Sequence, residues 1–484
     1  MTPTSEQLNI IEKAVNGDNL IIQAFAGAAK TTTLRMIAEA IPNKNILYLA
    51  YNKAIVTDAV SKMPSNVTCK TIHAVAYANS DSNIIARLRG PKLEIKWLVN
   101  QFKIKTINAY SDKLQKTAVV NQYRVMSWVN RTLTRYMNSS DETLQLHHVY
   151  IDPDYSLYTF SNNDKQQILN YAKSLWDYYL NSQCTITHDF YLKLFSMSNK
   201  NINYDVIMVD ESQDVNGSMV NILKSQTNSQ LIYVGDKFQK IYSFTGTIDI
   251  TKHSKIETLY LTKSFRFGKG ISNIANEWLQ KIEPGCNTLY GTDDKTTFAD
   301  KGNPNVIICR TNSNVIRTYI EYIAKDKYLN INISCDIEPL LKFAQALYDL
   351  EKTNKSEHML LKHFTHIDTF YKFIEANGDM FEADIVRFAK LCNNIGALAI
   401  VKAFSKYGEC VKPDILITTA HKAKGLEWDI VELGDDFNTS EIKPKGTEVN
   451  MPNVPKYNKE ELRLFYVAIT RAKKCLLGYD HYKK

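Results

Sequence analysis

The chain has 484 residues, 44% of them hydrophobic and 23% charged, which is ordinary globular composition and argues against global disorder. Its length suggests about three or four domains, and its formal charge of +8 permits a polyanionic partner without proving one. The longest uncharged apolar runs, such as Ile395–Val401, fall far short of the roughly 20 residues that a membrane helix needs. The opening Met1-Thr2-Pro3-Thr4 carries no basic stretch before an apolar core, so neither a secretory signal nor a membrane span is expected. Cys69, Cys184, Cys286, Cys309, Cys335, Cys392, Cys410 and Cys475 are scattered without a C-x-x-C pair. That spacing does not support zinc ribbons or iron–sulfur clusters, and it fits unpaired thiols in a reducing cytoplasm.

In chain order, short β-type apolar runs recur at Leu20–Ala24, Ile46–Tyr51, Val206–Val209, Leu231–Val234, Val306–Ile308 and Ile415–Thr418. Helical patterns follow several of them, and such alternation predicts parallel sheets with functional loops at the C-terminal ends of the strands. Two stretches break the rhythm. Residues 81–195 and 331–410 read as helical insertions into α/β cores. The first core is then expected from 1–80 with 196–255, and the second from 256–330 with 411–484.

Ala24-Phe25-Ala26-Gly27-Ala28-Ala29-Lys30-Thr31 follows one of these strands and precedes the helical run Thr32–Ala40. This is the strand–loop–helix setting of a phosphate-binding loop, in which small residues let backbone N–H groups surround phosphate oxygens. Ala26, Gly27, Ala28, Ala29, Lys30, Thr31 and Thr32 are the candidates for holding a nucleotide. Lys30 would reach the β- and γ-phosphates, and the Thr31 hydroxyl would ligate Mg²⁺. The pattern asks for Gly immediately before the lysine, and this chain has Ala29. If that position needs a left-handed backbone, alanine costs roughly 1–2 kcal/mol. A second segment, Tyr204 to Asp214, is an apolar strand that ends in clustered acids. Adjacent carboxylates at a buried strand end call for a cation. Asp210 would hold Mg²⁺ and Glu211 would polarise the attacking water.

With these two segments in place, the chain resembles superfamily 1 DNA helicases of the Rep/UvrD type, in the manner of the F-box DNA helicase branch. The motifs run in the expected order over nearly the whole length. Thr4-Ser5-Glu6-Gln7 resembles the Q motif, which implies that Gln7 reads an adenine edge. Leu49-Ala50-Tyr51-Asn52-Lys53-Ala54 and Thr71-Ile72-His73 resemble motifs Ia and Ib, which puts Tyr51, Asn52, Lys53, Thr71 and His73 against nucleic acid. Val234 to Gly246 resembles motif III, with Gln239 sensing the γ-phosphate and Tyr242 and Phe244 stacking on bases. Thr245 stands where the family usually has arginine.

Leu261 to Gly268 resembles motif IV, and Ile308-Cys309-Arg310-Thr311-Asn312 follows as a second-core strand and loop, with Arg310 facing nucleic acid. Thr419 to Trp428 resembles motif V, with Gly425 and Glu427 near the ribose and Thr419 and His421 on the nucleic-acid side. Glu461 to Ala472 resembles motif VI. The resemblance makes Arg266 and Arg471 arginine fingers and Lys30, Glu211 and Gln239 their catalytic counterparts.

The resemblance implies an α/β protein of two RecA-like P-loop cores with parallel sheets and helical insertion domains. The implied activity is ATP- and Mg²⁺-dependent movement along single-stranded DNA, 3′→5′, on DNA junctions in replication, recombination or repair. A monomer is expected without DNA, and RNA stays open as a track. The short second insertion suggests a strong translocase and a modest unwinder. Two alternatives are an ATPase that remodels nucleoprotein with little unwinding and a nucleotide-gated binding module with an impaired loop. No F-box precedes Gln7, so a ubiquitin-ligase link is not expected. A cytoplasmic, bacterial or virus-encoded protein is expected. The pairs and triplets His147-His148 and His358, His363, His366 match no zinc spacing and read as exposed helix histidines.

Overall fold

A computed structural model describes residues 2–50, 52–91, 93–112, 115–152, 155, 158–241, 256–292, 297–298, 302–326, 329–358, 360–361, 364–376, 383–405, 407–441 and 457–482. The chain divides into two compact units, Met1–Ala24 with Ala29–Leu261 and Phe25–Ala28 with Thr262–Lys484.

The first unit carries β1 (Leu20–Ala24), β2 (Ile46–Ala50), β3 (Val67–Thr71), β4 (Ile107–Ser111), β5 (Lys116–Val120), β6 (Val206–Val209), β7 (Gln230–Gly235) and β8 (Glu257–Leu261). The sheet runs β3-β2-β6-β7-β1-β8, with every pair parallel. β1, β2 and β6 are buried along their whole length. Both faces of a parallel sheet are covered, which is why these strands read as unbroken apolar runs rather than as alternation. β8 pairs with β1 from Leu20↔Glu257 to Ala24↔Leu261. The first core therefore extends to Leu261, past the boundary at residue 255 expected from sequence.

The expected insertion at 81–195 holds the helices Gln122–Met137, Asn162–Asn181 and His188–Met197. Trp128, Leu133, Tyr136, Leu175, Trp176 and Phe190 build its own core. It also contains the antiparallel pair β4–β5, which a helical reading overlooked. Ile107, Ala109 and Ser111 are buried while Asn108 and Tyr110 face out. That is strand periodicity written in weakly hydrophobic residues. The turn after Gln122–Met137 docks on the helix Gly217–Lys224. Gly217 N donates to Asn138 O at 2.9 Å, Ser218 Oγ to Met137 O at 2.7 Å, and Asn221 Nδ2 to Ser140 O at 2.8 Å. A Cβ on Gly217 would collide with the backbone of Ser139 and Ser140, so the close approach requires glycine.

The second unit carries β9 (Lys263–Gly268), β10 (Tyr290–Thr292), β11 (Thr297–Phe298), β12 (Val306–Cys309), β13 (Ile331–Ser334), β14 (Ile415–Thr419), β15 (Trp428–Leu433) and β16 (Ala472–Leu477). β9 pairs with β10, and the larger parallel sheet runs β11-β16-β15-β12-β14-β13. The helices Glu338–Thr353, Ile367–Ala376, Ala383–Ile395 and Ala397–Phe404 lie between β13 and β14. Their Phe343, Leu347, Phe370 and Phe388 share one core with Ile307, Val315 and Ile417. The segment 331–410 is thus an extension of the second core, and β13, at its start, belongs to that core's sheet.

Candidate nucleotide site and nucleic-acid face

Parallel strands deliver their C-terminal ends to one edge of the sheet. In the first unit, β1 leads into the phosphate loop and the helix Lys30–Ala40, and β6 ends at Asp210. Lys30 Nζ meets Glu211 Oε1 at 2.6 Å, and Thr31 Oγ1 donates to Asp210 Oδ2 at 3.3 Å. Tyr48 OH, from β2, donates to the same Oδ2 at 2.6 Å, and Glu211 N donates to Oδ1 at 2.8 Å. Gln213 Nε2 donates to Glu211 Oε2 at 2.6 Å while its Oε1 accepts from Asp236 N at 3.0 Å. Gln239 Nε2 reaches Asp236 Oδ2 at 2.8 Å. One hydrogen-bonded chain therefore joins Lys30 to Gln239.

The electrostatics follow from burial. Burial opposes the Lys30 ammonium, but Glu211 and then Asp210 outweigh it, and its pKa stands above the ordinary lysine value. Burial, with the neighbouring Glu211 charge, pushes the Asp210 carboxyl above the usual range, against Lys30 and Tyr48. A carboxylate in that state gains from a divalent cation. Two oxygens in adjacent positions of an octahedral Mg²⁺ lie about 3 Å apart. The Thr31 and Asp210 oxygens already stand at 3.3 Å, so this donor set fits that ion.

Two residues of this cluster hold left-handed backbone. Ala29 stands at φ 58, ψ 40 and Glu211 at φ 52, ψ 42. Left-handed conformation at a non-glycine costs energy and concentrates at functional sites. The sequence left the backbone at Ala29 open, and the structure has it left-handed. Gln7, expected at the adenine, is buried and caps its own helix. Its Nε2 donates to Thr33 Oγ1 at 2.9 Å, and Thr33 Oγ1 in turn donates to Ala29 O at 3.0 Å. Thr32 lies in the first turn of the helix Lys30–Ala40.

The second unit gathers another set. Phe25–Ala28 groups with it. Ala26 N donates to Tyr466 OH at 3.1 Å, and Gly27, at φ +73, accepts from Phe265 N at 2.8 Å. Ala28 is buried beside them. Arg266 Nε meets Glu427 Oε2 at 2.6 Å, and its Nη1 donates to Thr470 O at 2.9 Å. Arg471 is buried, donating to Val467 O at 2.9 Å and to Leu426 O at 3.2 Å. Gly425 has φ +84, as a turn ahead of Glu427 requires. Arg266, Glu427 and Arg471 thus form one cluster around the Thr470 turn.

The residues expected at nucleic acid separate into two groups. In the first unit, Ala50 of β2 registers with Thr71 of β3, so the motif Ia and Ib residues emerge at neighbouring strand ends. Asn52 and Thr71 cap the helices Lys53–Val60 and Ile72–Asn79, and Lys53 is exposed. His73 is half-buried, edge-on to Tyr191 and 3.8 Å from Asp189. Tyr51, Tyr242, Phe244 and Thr245 lie outside the described residues. In the second unit, Arg310, Asn312, Arg387, Thr419, His421 and Lys422 line a polar pocket of about 330 Å³ at the ends of β12 and β14. Arg310 does not present its fork to that pocket alone. It holds Glu461 through Nε to Oε2 at 2.8 Å and Nη2 to Oε1 at 2.6 Å. Asp436 caps the same loop by accepting from Arg310 N at 2.8 Å and Thr311 N at 2.9 Å.

Sequence reasoning gave no role to Tyr48, Gln213, Glu461, Lys422 or Arg387. A hydroxyl inside the apolar run Ile46–Tyr51 was the available signal for Tyr48, because a buried phenol needs a partner.

A phosphate loop facing an acidic strand end, in a chain with two parallel-sheet units, defines a P-loop nucleotide-binding protein of the RecA-like kind. The model of the UvrD-like helicase C-terminal domain matches residues 55–478. The chain belongs to the UvrD-like helicases. It is 29% identical to F-box DNA helicase protein 1 of Schizosaccharomyces pombe, over 99% of this chain and 57% of that protein. It is also 29% identical to F-box DNA helicase 1 of Gallus gallus, over 98% of this chain and 48% of that protein. The chain therefore spans about half the length of these relatives. Both come from eukaryotes, which runs against the expectation of a bacterial or virus-encoded protein.

Among the described residues, no helix is long and apolar enough to cross a membrane.

Proposed function

We propose that this chain is an ATP-dependent DNA helicase or translocase that moves 3′→5′ along single-stranded DNA in replication, recombination or repair. The observation that carries the reading is the convergence of Lys30, Thr31, Asp210 and Glu211 at one strand edge. Thr31 and Asp210 would hold Mg²⁺, whose charge offsets that of the phosphate oxygens. Lys30 would exchange Glu211 for the β- and γ-phosphates. Glu211, released from its ion pair but still held by Gln213, would orient the attacking water. Gln239, at the far end of the same chain of hydrogen bonds, would report the γ-phosphate to the residues that follow β7.

Family resemblance supports Arg266 and Arg471 as the groups that stabilise the charge growing on the transferred phosphoryl, an effect of about 10³–10⁵ in rate. Both must then leave their present partners, Glu427 and the Val467 and Leu426 carbonyls. Gln7 would read adenine, and Gly425 and Glu427 the ribose. Asn52, Lys53, Thr71, His73, Thr419 and His421 would bind DNA, with Lys422 and Arg387 added to them. Polarity, DNA junctions as substrates and a monomeric ground state rest on resemblance.

Steady-state ATP hydrolysis with and without single-stranded DNA tests the reading. DNA-stimulated turnover that Glu211→Gln abolishes is expected. The left-handed Ala29 favours one second reading, a nucleotide-gated binding module. An inactive parent rescued by Ala29→Gly would establish that reading and overturn the motor. Should turnover be normal but duplex unwinding absent, the chain is a remodelling ATPase.

A further inference from the structure

We propose that Asp141, His147 and His148 form a site for a first-row transition-metal ion of the zinc type, in the insertion of the first unit. Among the described residues, these are the only three His, Cys, Asp or Glu side chains whose ligand atoms all lie within 4.8 Å of one another. Asp141 Oδ2 stands 2.8 Å from His147 Nε2 and 2.9 Å from His148 Nε2. His148 is not the exposed helix histidine that the sequence suggests. It is 3% exposed, closes the turn Leu146–His148, and stacks at a tilt on His147 with centroids 4.0 Å apart.

The surroundings of His148 suit a metal ligand. In the structure Gln145 N donates to Nδ1 at 3.0 Å and Nε2 faces Asp141; in the other tautomer Gln145 O, 3.2 Å from Nδ1, would accept the Nδ1 proton and Nε2 would keep its lone pair. A metal-bound imidazole is oriented in this way, by a carbonyl behind the ring. Ser139 Oγ, 3.0 Å from Nε2, adds an oxygen beside the site. Two imidazoles and one carboxylate leave a fourth position for water. Ligand atoms on a tetrahedral zinc ion sit about 3.3 Å apart, so the Asp–His pairs need to open by about 0.5 Å and the two Nε2 atoms, within 4.8 Å of each other, to settle to the same spacing. Binding would move one proton from His148 Nε2 to Nδ1 and break the hydrogen bond that Gln145 N now donates to Nδ1.

The site is anchored on a fixed base. Lys193 Nζ donates to Ser139 O at 2.9 Å and to Asp141 O at 2.6 Å. Ser139 and its neighbours are the backbone that Gly217, Ser218 and Asn221 hold. An ion there would cross-link the two ends of the loop 139–148, which already rests on the helix Gly217–Lys224.

The test uses the untagged full chain, stripped with EDTA and titrated with Co²⁺ in excess Mg²⁺, so that hard oxygen sites are filled. One equivalent of Co²⁺ with a tetrahedral visible band, displaced by Zn²⁺, is expected. The solvent-facing variant His147→Ala should fold normally and lose at least tenfold in affinity. His147→Cys should retain binding and add a sulfur-to-cobalt band. Absence of a tetrahedral band, or binding by His147→Ala equal to that of the parent, would show that the trio is only a hydrogen-bonded acid–histidine network.

Discussion

Asp210 takes the Tyr48 hydroxyl, the Thr31 hydroxyl and the Glu211 N–H on its two oxygens. Tyr48→Phe removes one donor from a buried carboxylate. We expect a loss of about 1–2 kcal/mol in urea denaturation and a higher Mg²⁺ requirement for ATP hydrolysis. Ala29→Gly should do the opposite to stability. Relief of left-handed strain, about 1–2 kcal/mol, exceeds the entropy that glycine adds to the unfolded chain, about 0.4–1 kcal/mol. The net gain should be near 0.5–1 kcal/mol, and unchanged or lower stability would contradict the strained geometry.

Lys30, Asp210 and Glu211 were legible because each sits in a contiguous segment whose residue types announce phosphate and cation chemistry. Tyr48 and Glu461 were not, because sheet register and a distant helix bring them to the site.

At the scale of elements, the informative contact is the turn after Gln122–Met137. Lys193 is buried beneath it, and burial lowers its pKa to about 8 against Asp141 and Glu142. Below about pH 8 both folded and unfolded chains carry the proton. Between pH 8 and the ordinary value of 10.5 the unfolded chain holds a proton that the folded chain has shed. This group therefore makes stability rise with pH across that window. Lys193→Met should flatten that contribution while costing about 1–3 kcal/mol, because two carbonyls lose their donor. Urea midpoints for parent and variant at about pH 7.5 and 10 compare the slopes. Gly217→Ala should cost about 1–3 kcal/mol by overpacking the same joint.

The strands β1, β2, β6, β7, β12 and β14 were readable because they are apolar runs, whereas β3, β8, β15 and β16 mix polar and half-exposed residues and gave no such run. The β4–β5 pair was not readable, since Asn108 and Tyr110 dilute its alternation. β13 was absorbed into a helical stretch because its four residues, Ile331–Ser334, alternate between buried positions and half-exposed or exposed ones next to long helices.

At the scale of the molecule, the proposed binding of single-stranded DNA should weaken with salt in proportion to the phosphates it neutralises. Lys422→Ala should weaken single-stranded DNA binding and reduce the slope of log K against log salt by about one, read by fluorescence anisotropy. Arg310→Ala should instead lower stability by about 1–3 kcal/mol, because Glu461 is left without its fork. A large salt effect from Arg310→Ala with unchanged stability would assign that residue to the nucleic acid.

The strand order of the first sheet also shapes its synthesis. β1 lies between β7 and β8, whose partners to Leu20 are Ile232 and Glu257. At about 5–20 residues per second, β1 leaves the ribosome roughly 10–50 s before either neighbour exists. Through that interval an apolar strand has two unsatisfied edges, and chaperone cover is its natural protection. Nascent chains arrested with Leu261 still inside the ribosome should be cut readily by protease. Those arrested some forty residues later should resist, which would place the first unit's folding before the second is made.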